Sequence, residues 1–306
     1  MALEALFNSA GPLVVTAREA LEAALIVGVI ATYLKKTGRD NLNRYLYFGI
    51  TGAVLTSVLL GAGIALLRGN LPETLEAVFA GTASITATLV LTYMIFWMAR
   101  NSRKIRSELE SKIESSASKG YLFGIAVVAF AAVAREGLET VLFLSAFAAS
   151  DATSTVFGAI AGVMIVTGLS IAMMKGVYRL NVSQFFKYTS IILVVFAAGI
   201  FASGAREFIE VGEETGVALG LLATKAYDLN IPDSNLMGNQ GALGSILKAV
   251  FGYRTSLDWF PVIVYFGYWL MTGLFLYRTY WSSARKSLAP SLTVQAGGKQ
   301  HVVSRA

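Results

Sequence analysis

Hydrophobic residues fall in long runs, separated by short polar stretches that are mostly basic. Seven runs are long enough for a helix to cross a bilayer, which takes about 20 residues; they cover roughly 12–34, 45–67, 74–99, 120–149, 153–177, 187–210 and 259–280. Three contain 23 consecutive uncharged residues each, Tyr45–Leu67, Ala77–Ala99 and Ala152–Met174, and the last is uncharged from Trp259 to Tyr277. The first, fourth and sixth are interrupted by charge. Pro12, Pro72 and Pro261 fall at or near predicted helix starts, where the missing N–H costs little, and no proline interrupts a run. The pattern predicts an all-α membrane protein of seven spans. Its N-terminus lacks the basic stretch of a signal peptide, so the first span is expected to be retained.

Composition supports this reading. Of 306 residues, 55% are hydrophobic and only 14% charged, against about 25% charged in soluble proteins, and the mean hydropathy is +0.62. A disordered chain and an ordinary cytosolic enzyme are excluded. The net charge of +6 is a matter of placement. Eighteen Lys and Arg follow the odd-numbered spans, four lie on the opposite side (Arg68, Lys225, Lys248 and Arg254), and three are inside spans. The positive-inside rule then puts the N-terminus outside and the C-terminus in the cytoplasm, and nucleic acid is not needed to explain the basic character. Tyr33, Tyr45, Trp97, Tyr188, Trp259 and Tyr277 mark the interfaces.

The charges inside the spans share one pattern. The first span contains Arg18-Glu19-Ala20-Leu21-Glu22, the fourth Arg135-Glu136-Gly137-Leu138-Glu139 and the sixth Arg206-Glu207-Phe208-Ile209-Glu210, all R-E-x-x-E. Two Glu at i and i+3 stand one turn apart on one helical face and can converge on a cation, while the Arg reaches the second Glu at i+4. A charge at bilayer depth costs about 2.5–3.5 kcal/mol on insertion scales, and such residues mark ion pathways. The bland alternative, an Arg–Glu network locking helices together, needs no paired carboxylates. With no Cys and a single His, His301, in the polar tail, a membrane metal site must use oxygen ligands.

Arg18 and Arg135 are 117 positions apart and three spans intervene, so the first and fourth spans run in opposite directions. That predicts two inverted three-helix repeats, about 10–100 and 120–212, followed by an external segment at about 211–258, a seventh helix at about 259–280 and a cytoplasmic tail at 283–306. Inverted repeats with a midplane site are a transporter signature. The third span opens with Glu73-Thr74-Leu75-Glu76, an E-x-x-E read as the counterpart of the copy in the sixth span, with Glu73 and Glu76 also placed to cap a helix.

The motifs of the first and fourth spans resemble the paired R-E-x-x-E motifs of the high-affinity iron permeases, the oxidase-dependent ferric-iron transporters of fungi and their bacterial relatives. The resemblance extends to Trp97-Met98, to Arg206-Glu207-Phe208-Ile209-Glu210 and to Gly252-Tyr253-Arg254, and covers most of 1–282. It implies seven spans, an outside N-terminus, a plasma-membrane location and iron translocation through the Glu of both motifs. It also implies a ferroxidase or another periplasmic or extracellular iron-delivery partner. The sixth span departs from many relatives in carrying the full motif, Arg206 included.

The expected protein is thus an iron permease and not an enzyme, with Fe(III) as transported substrate and no organic cofactor. Glu19, Glu22, Glu136 and Glu139 are the expected ligands and Arg18 and Arg135 their orienters. Arg206, Glu207, Glu210, Glu73 and Glu76 are a secondary or entrance site. The first alternative is a carrier of another cation: ferrous iron, manganese, lead or a proton-coupled substrate. An intramembrane di-iron oxidase is disfavoured because no span contains His, and an anion carrier because six Glu in the three motifs outnumber three Arg. Weaker signals are the G-x-x-x-G spacings at Gly120–Gly124 and Gly158–Gly162, suited to close helix packing. The mixed-charge segment 100–119 suggests a short helix, Gly238–Gly252 a re-entrant or interfacial one, and the methionines read as packing residues. Oligomeric state is left open.

Overall fold

The computed structural model describes residues 8–101, 111, 122–174, 181–217, 219–232, 235–239 and 241–287. Eight α-helices account for most of them: α1 Ala10–Lys36, α2 Asn43–Arg68, α3 Glu73–Asn101, α4 Leu122–Ala148, α5 Ala152–Met174, α6 Val182–Glu214, the short α7 Ala242–Phe251, and α8 Trp259–Ser287. The seven long helices coincide with the seven hydrophobic runs. The largest differences are in α6, which extends past its run at both ends, and at the C-terminal end of α8. By length and composition α2, α3, α5 and α6 can each cross a membrane, and α8 adds a shorter apolar stretch, Trp259–Phe275. The helices α1 and α4 are equally long, at 27 residues each, and their charged motifs set them apart. The proposed helix at 100–119 lies almost wholly outside the described residues, as does Gly120.

Chain ends of the helices follow local chemistry. Asp151 precedes α5 and accepts hydrogen bonds from the Ser154 backbone N–H at 3.0 Å and from the Ser154 hydroxyl at 2.6 Å. Burial would raise its pKa, but these bonds and one from Asn8 outweigh that and hold the carboxyl below its usual range. Gly252 ends α7 with φ +69°, in the left-handed region that glycine favours. Around α7 the sequence reading missed a small sheet. Strand β1 (Lys225–Asp228) pairs antiparallel with β2 (Ser256–Asp258), so the chain is not wholly α. Asn239 clamps the return by donating to the Thr255 hydroxyl at 2.7 Å and accepting from the Thr255 N–H at 2.9 Å.

Packing between helices has a marked order. The most extensive partners of α4 and α1 are α2 and α5 respectively; α3 packs on α6, and α1 on α4. The last pair is antiparallel. Gly11 faces Phe147 at one end, while Ile30 and Leu34 cluster with Ile125 and Ala129 at the other. Glycines permit the close approaches. A methyl on Gly49 would overlap the Ala126 carbonyl oxygen and crowd the Phe130 nitrogen, and one on Gly158 would overlap the Ser9 carbonyl oxygen and crowd the Leu13 nitrogen. Gly49 and Gly158 are each the seventh residue of their helix. The backbone atoms they meet are 117 positions apart, the separation of Arg18 and Arg135. Gly162 continues the contact against Leu13 and Ala17, as expected of the G-x-x-x-G spacing. Outward faces are apolar: Leu55, Leu59, Phe157 and Met164 are all more than half exposed.

Two predictions test these contacts. A Cβ at Gly252 would lie 2.6 Å from the Gly199 Cα and carry a positive φ, whereas one at Gly28 meets nothing within 4 Å. Gly252→Ala is therefore expected to lower the melting temperature in detergent, with a loss of at least about 1–2 kcal/mol from the left-handed backbone alone, and Gly28→Ala to leave it unchanged or raised. Asp151→Ala is expected to cost about 1 kcal/mol near neutral pH. Because the folded pKa is depressed, that stabilisation is present above the unfolded pKa. It is lost as pH falls through the folded value, so the melting difference between variant and wild type closes in acid.

Candidate metal centre

The centre is built by α1 and α4 where they cross. Glu19 and Glu22 lie about 14 and 18 Å along α1, and Glu136 lies about 21 Å along α4, taking 1.5 Å per residue. Helices of this length put all three close to the middle. The helical period sets the local geometry. In every motif the Arg pairs with the Glu four residues on: Arg18 Nε is 3.2 Å from Glu22, Arg135 Nε 2.9 Å from Glu139 and Arg206 Nη2 2.7 Å from Glu210. The first Glu of each motif has no such i+4 partner, and Glu19 is reached by Arg18 only at 3.8 Å.

Tertiary packing decides which carboxylates meet. One oxygen from each of Glu19, Glu22 and Glu136 lies within 4.8 Å of the other two. Opposite ligands of a small hard cation bound at about 2.1 Å are about 4.2 Å apart, so only small side-chain movements separate this arrangement from a ligand shell. Glu139, the fourth expected ligand, is not in that group and is held by Arg135. Glu19 is 1% exposed, and neither of its oxygens has a hydrogen-bond partner among the described residues; its nearest cation is Arg18 Nη1 at 3.8 Å. Buried acceptors without donors are expensive, and a metal cation is the group that satisfies several carboxylates at once. The donor set is oxygen alone, suited to hard ions.

The last described turns of α3 complete the surroundings. Arg18, fully buried, also donates from Nη2 to the Met98 sulfur at 3.3 Å. The Arg135 guanidinium lies 5.4 Å from the centre of the Trp97 ring. Thus two consecutive residues of α3 each touch one motif arginine. By sequence Trp97 reads as an interfacial aromatic, Met98 as a packing residue and the pair as part of the family resemblance; the structure sets Trp97 against Arg135 and Met98 against Arg18. Their adjacency on a helix end gave no sign of which helices they would meet.

The third motif is elsewhere. Thr74 donates to Glu214 at 2.8 Å, Gly81 packs against Gly204, and Thr88 donates to the Ala197 carbonyl, so α3 and α6 are antiparallel. Glu73 and Glu76 occupy the first turn of α3, whereas Arg206, Glu207 and Glu210 lie near the C-terminal end of α6. The two E-x-x-E patterns are therefore neighbours at one end of an antiparallel pair and not equivalent positions of a repeat, which corrects the sequence reading. Glu76 is engaged by Arg68 at 2.8 Å, and Arg206 and Glu210 are partly exposed. None of these residues joins the central group.

Comparison with known proteins bears on the family of the chain. The profile of the iron permease FTR1 family matches residues 9–279. A protein of Archaeoglobus fulgidus, described as uncharacterized, is 40% identical over 271 residues, which is 88% of this chain and 95% of that protein. The ferrous iron permease EfeU of Yersinia pseudotuberculosis is 34% identical over 275 residues, 89% of this chain and 93% of its own. EfeU of Escherichia coli strain 536 is 34% identical over 260 residues, 84% and 91% of the two chains. No solved structure matches the chain significantly. A matching profile over nearly the whole length, together with relatives of this identity, places the chain in the iron permease FTR1 family.

Proposed function

We propose that this protein carries iron across the plasma membrane into the cytoplasm through the carboxylates at the α1–α4 crossing. The observation that carries the reading is the convergence of Glu19, Glu22 and Glu136 near mid-helix, with buried oxygens lacking donors. Iron is the substrate. Arg18 and Arg135 offset part of the carboxylate charge, so that the ion is bound and still released. The membrane potential favours inward movement by about 2.3 kcal/mol per charge per 100 mV.

The topology proposed is seven spans, α1 to α6 and α8, with the N-terminus outside and the C-terminus cytoplasmic, in keeping with the distribution of basic residues. Two inverted repeats, α1–α3 and α4–α6, are supported by the exchange in which α2 packs on α4 and α5 on α1, and by the matched contacts of Gly49 and Gly158. Glu207 and Glu210, with Glu73, Glu76 and Arg206, then lie at the external end, where they serve as an entrance. A ferroxidase or an external iron-delivery protein is the partner this reading implies, docking on the same side.

The all-carboxylate donor set favours Fe(III), the harder ion. A second reading, ferrous iron, is favoured by the name ferrous iron permease borne by the EfeU relatives. Uptake of radioactive iron, offered as ferric citrate or with ascorbate, separates the two. Ferric uptake insensitive to a ferrous chelator supports the first reading, and uptake only with ascorbate supports the second. In whichever form is carried, Glu19→Ala and Glu136→Ala are each expected to reduce uptake by roughly 100-fold or more, at least the size of losses on disturbing a metal shell. Arg206→Ala and Glu210→Ala are expected to retain measurable uptake. Wild-type rates in both Glu19→Ala and Glu136→Ala would reject the site.

A further inference from the structure

The two central motifs have the same sequence pattern but different surroundings. Arg18 is fully buried, with Glu22, Glu19 and the Met98 sulfur around it. The Arg135 side chain is 49% exposed, lies against the face of Trp97 and holds Glu139 at 2.9 Å. Glu139 is also the one carboxylate of the four that is absent from the group within 4.8 Å. The two motifs thus differ in burial and in what lies beside each arginine, a thioether for Arg18 and an aromatic ring for Arg135.

We propose that Trp97 is a positioning residue for iron binding: its ring retains the Arg135 guanidinium at the edge of the site, which lets Glu139 leave that arginine and become the fourth carboxylate on the cation. This rests on the iron site proposed above. A guanidinium stripped of its carboxylate at bilayer depth is costly, and some other electron-rich surface must take over part of its neutralisation. Trp offers the strongest cation–π face of the aromatic side chains, and Arg is the cation most often found on it. The Met98 thioether is only a weak acceptor, so it gives Arg18 no comparable substitute for Glu22. Glu19 and Glu22 therefore form the fixed half of the shell. Glu136 and Glu139 form the half that rearranges when the ion arrives. No bond is made or broken in this step; Glu139 exchanges one cation for another.

The test is radioactive iron uptake by cells expressing the full chain, with ascorbate in one arm and ferric citrate in the other, normalised to protein in the membrane. Trp97→Leu removes the ring, so Arg135 competes harder for Glu139. The expected result is a rise in KM of about three- to tenfold, the size of one cation–π contact, with the maximal rate within about twofold. Trp97→Phe keeps a weaker aromatic face and is expected to fall between the two. In the Trp97→Leu background, adding Glu139→Gln is expected to raise KM much less than it does in the wild type, since the ligand is already withheld. An unchanged KM in Trp97→Leu, or Trp97→Phe behaving like Trp97→Leu, overturns the proposal. Where Trp97→Leu does not accumulate, Trp97→Phe alone decides: an unchanged KM overturns it and a raised one supports it. Failure of the site reading looks different, as Glu19→Ala and Glu136→Ala would then transport normally. Inactive Glu variants beside a silent Trp97→Leu reject only the role of Trp97.

Discussion

Charge held out of water between α1 and α4 is the constraint on which the structure depends. Arg18, Glu19 and Glu136 are all at least 95% buried, and isolated charges in such surroundings would cost several kcal/mol each. Each motif arginine takes the Glu four residues on, which leaves Glu19 and Glu136 in excess where two antiparallel helices place the motifs side by side. One ion pair in each helix offsets only one of the two carboxylates of its motif. The three converging carboxylates exceed what neutralisation needs, and that excess is what supports the proposed cation site.

The bundle is organised to bring α1 and α4 together. α2 covers α4 and α5 covers α1. That exchange requires backbone to approach backbone, which only small residues allow, and Gly49, Gly158 and Gly162 stand at those points. In the bilayer there is no hydrophobic drive between helices, so association rests on close packing of this kind. The same contacts that hold the fold therefore set the spacing of the carboxylates.

Much of this was legible in the residues. Long uncharged runs predicted the long helices, because a helix in lipid must be apolar for its whole length. The i, i+4 spacing predicted all three Arg–Glu pairs, because 3.6 residues per turn leaves little freedom. Other features were not legible. Strands β1 and β2 are only four and three residues long, too short for a period to show. Glu73 and Glu76 matched the pattern of α6 in sequence, yet they stand at the start of α3 while Glu207 and Glu210 stand near the end of α6, so they are neighbours and not equivalents.

The residues alone determined which helices exist, which carry charge and which side chains pair within a helix, since those interactions span no more than about one turn. Tertiary structure decided the remainder. It gathered Glu19, Glu22 and Glu136 while leaving Glu139 on Arg135, and it brought Met98 and Trp97 to two different arginines. These outcomes depend on how far helices distant in the chain are offset and turned against one another. The R-E-x-x-E pattern shared by α1 and α4 carries no record of that offset, so the different surroundings of the two motifs appear only once the helices are packed.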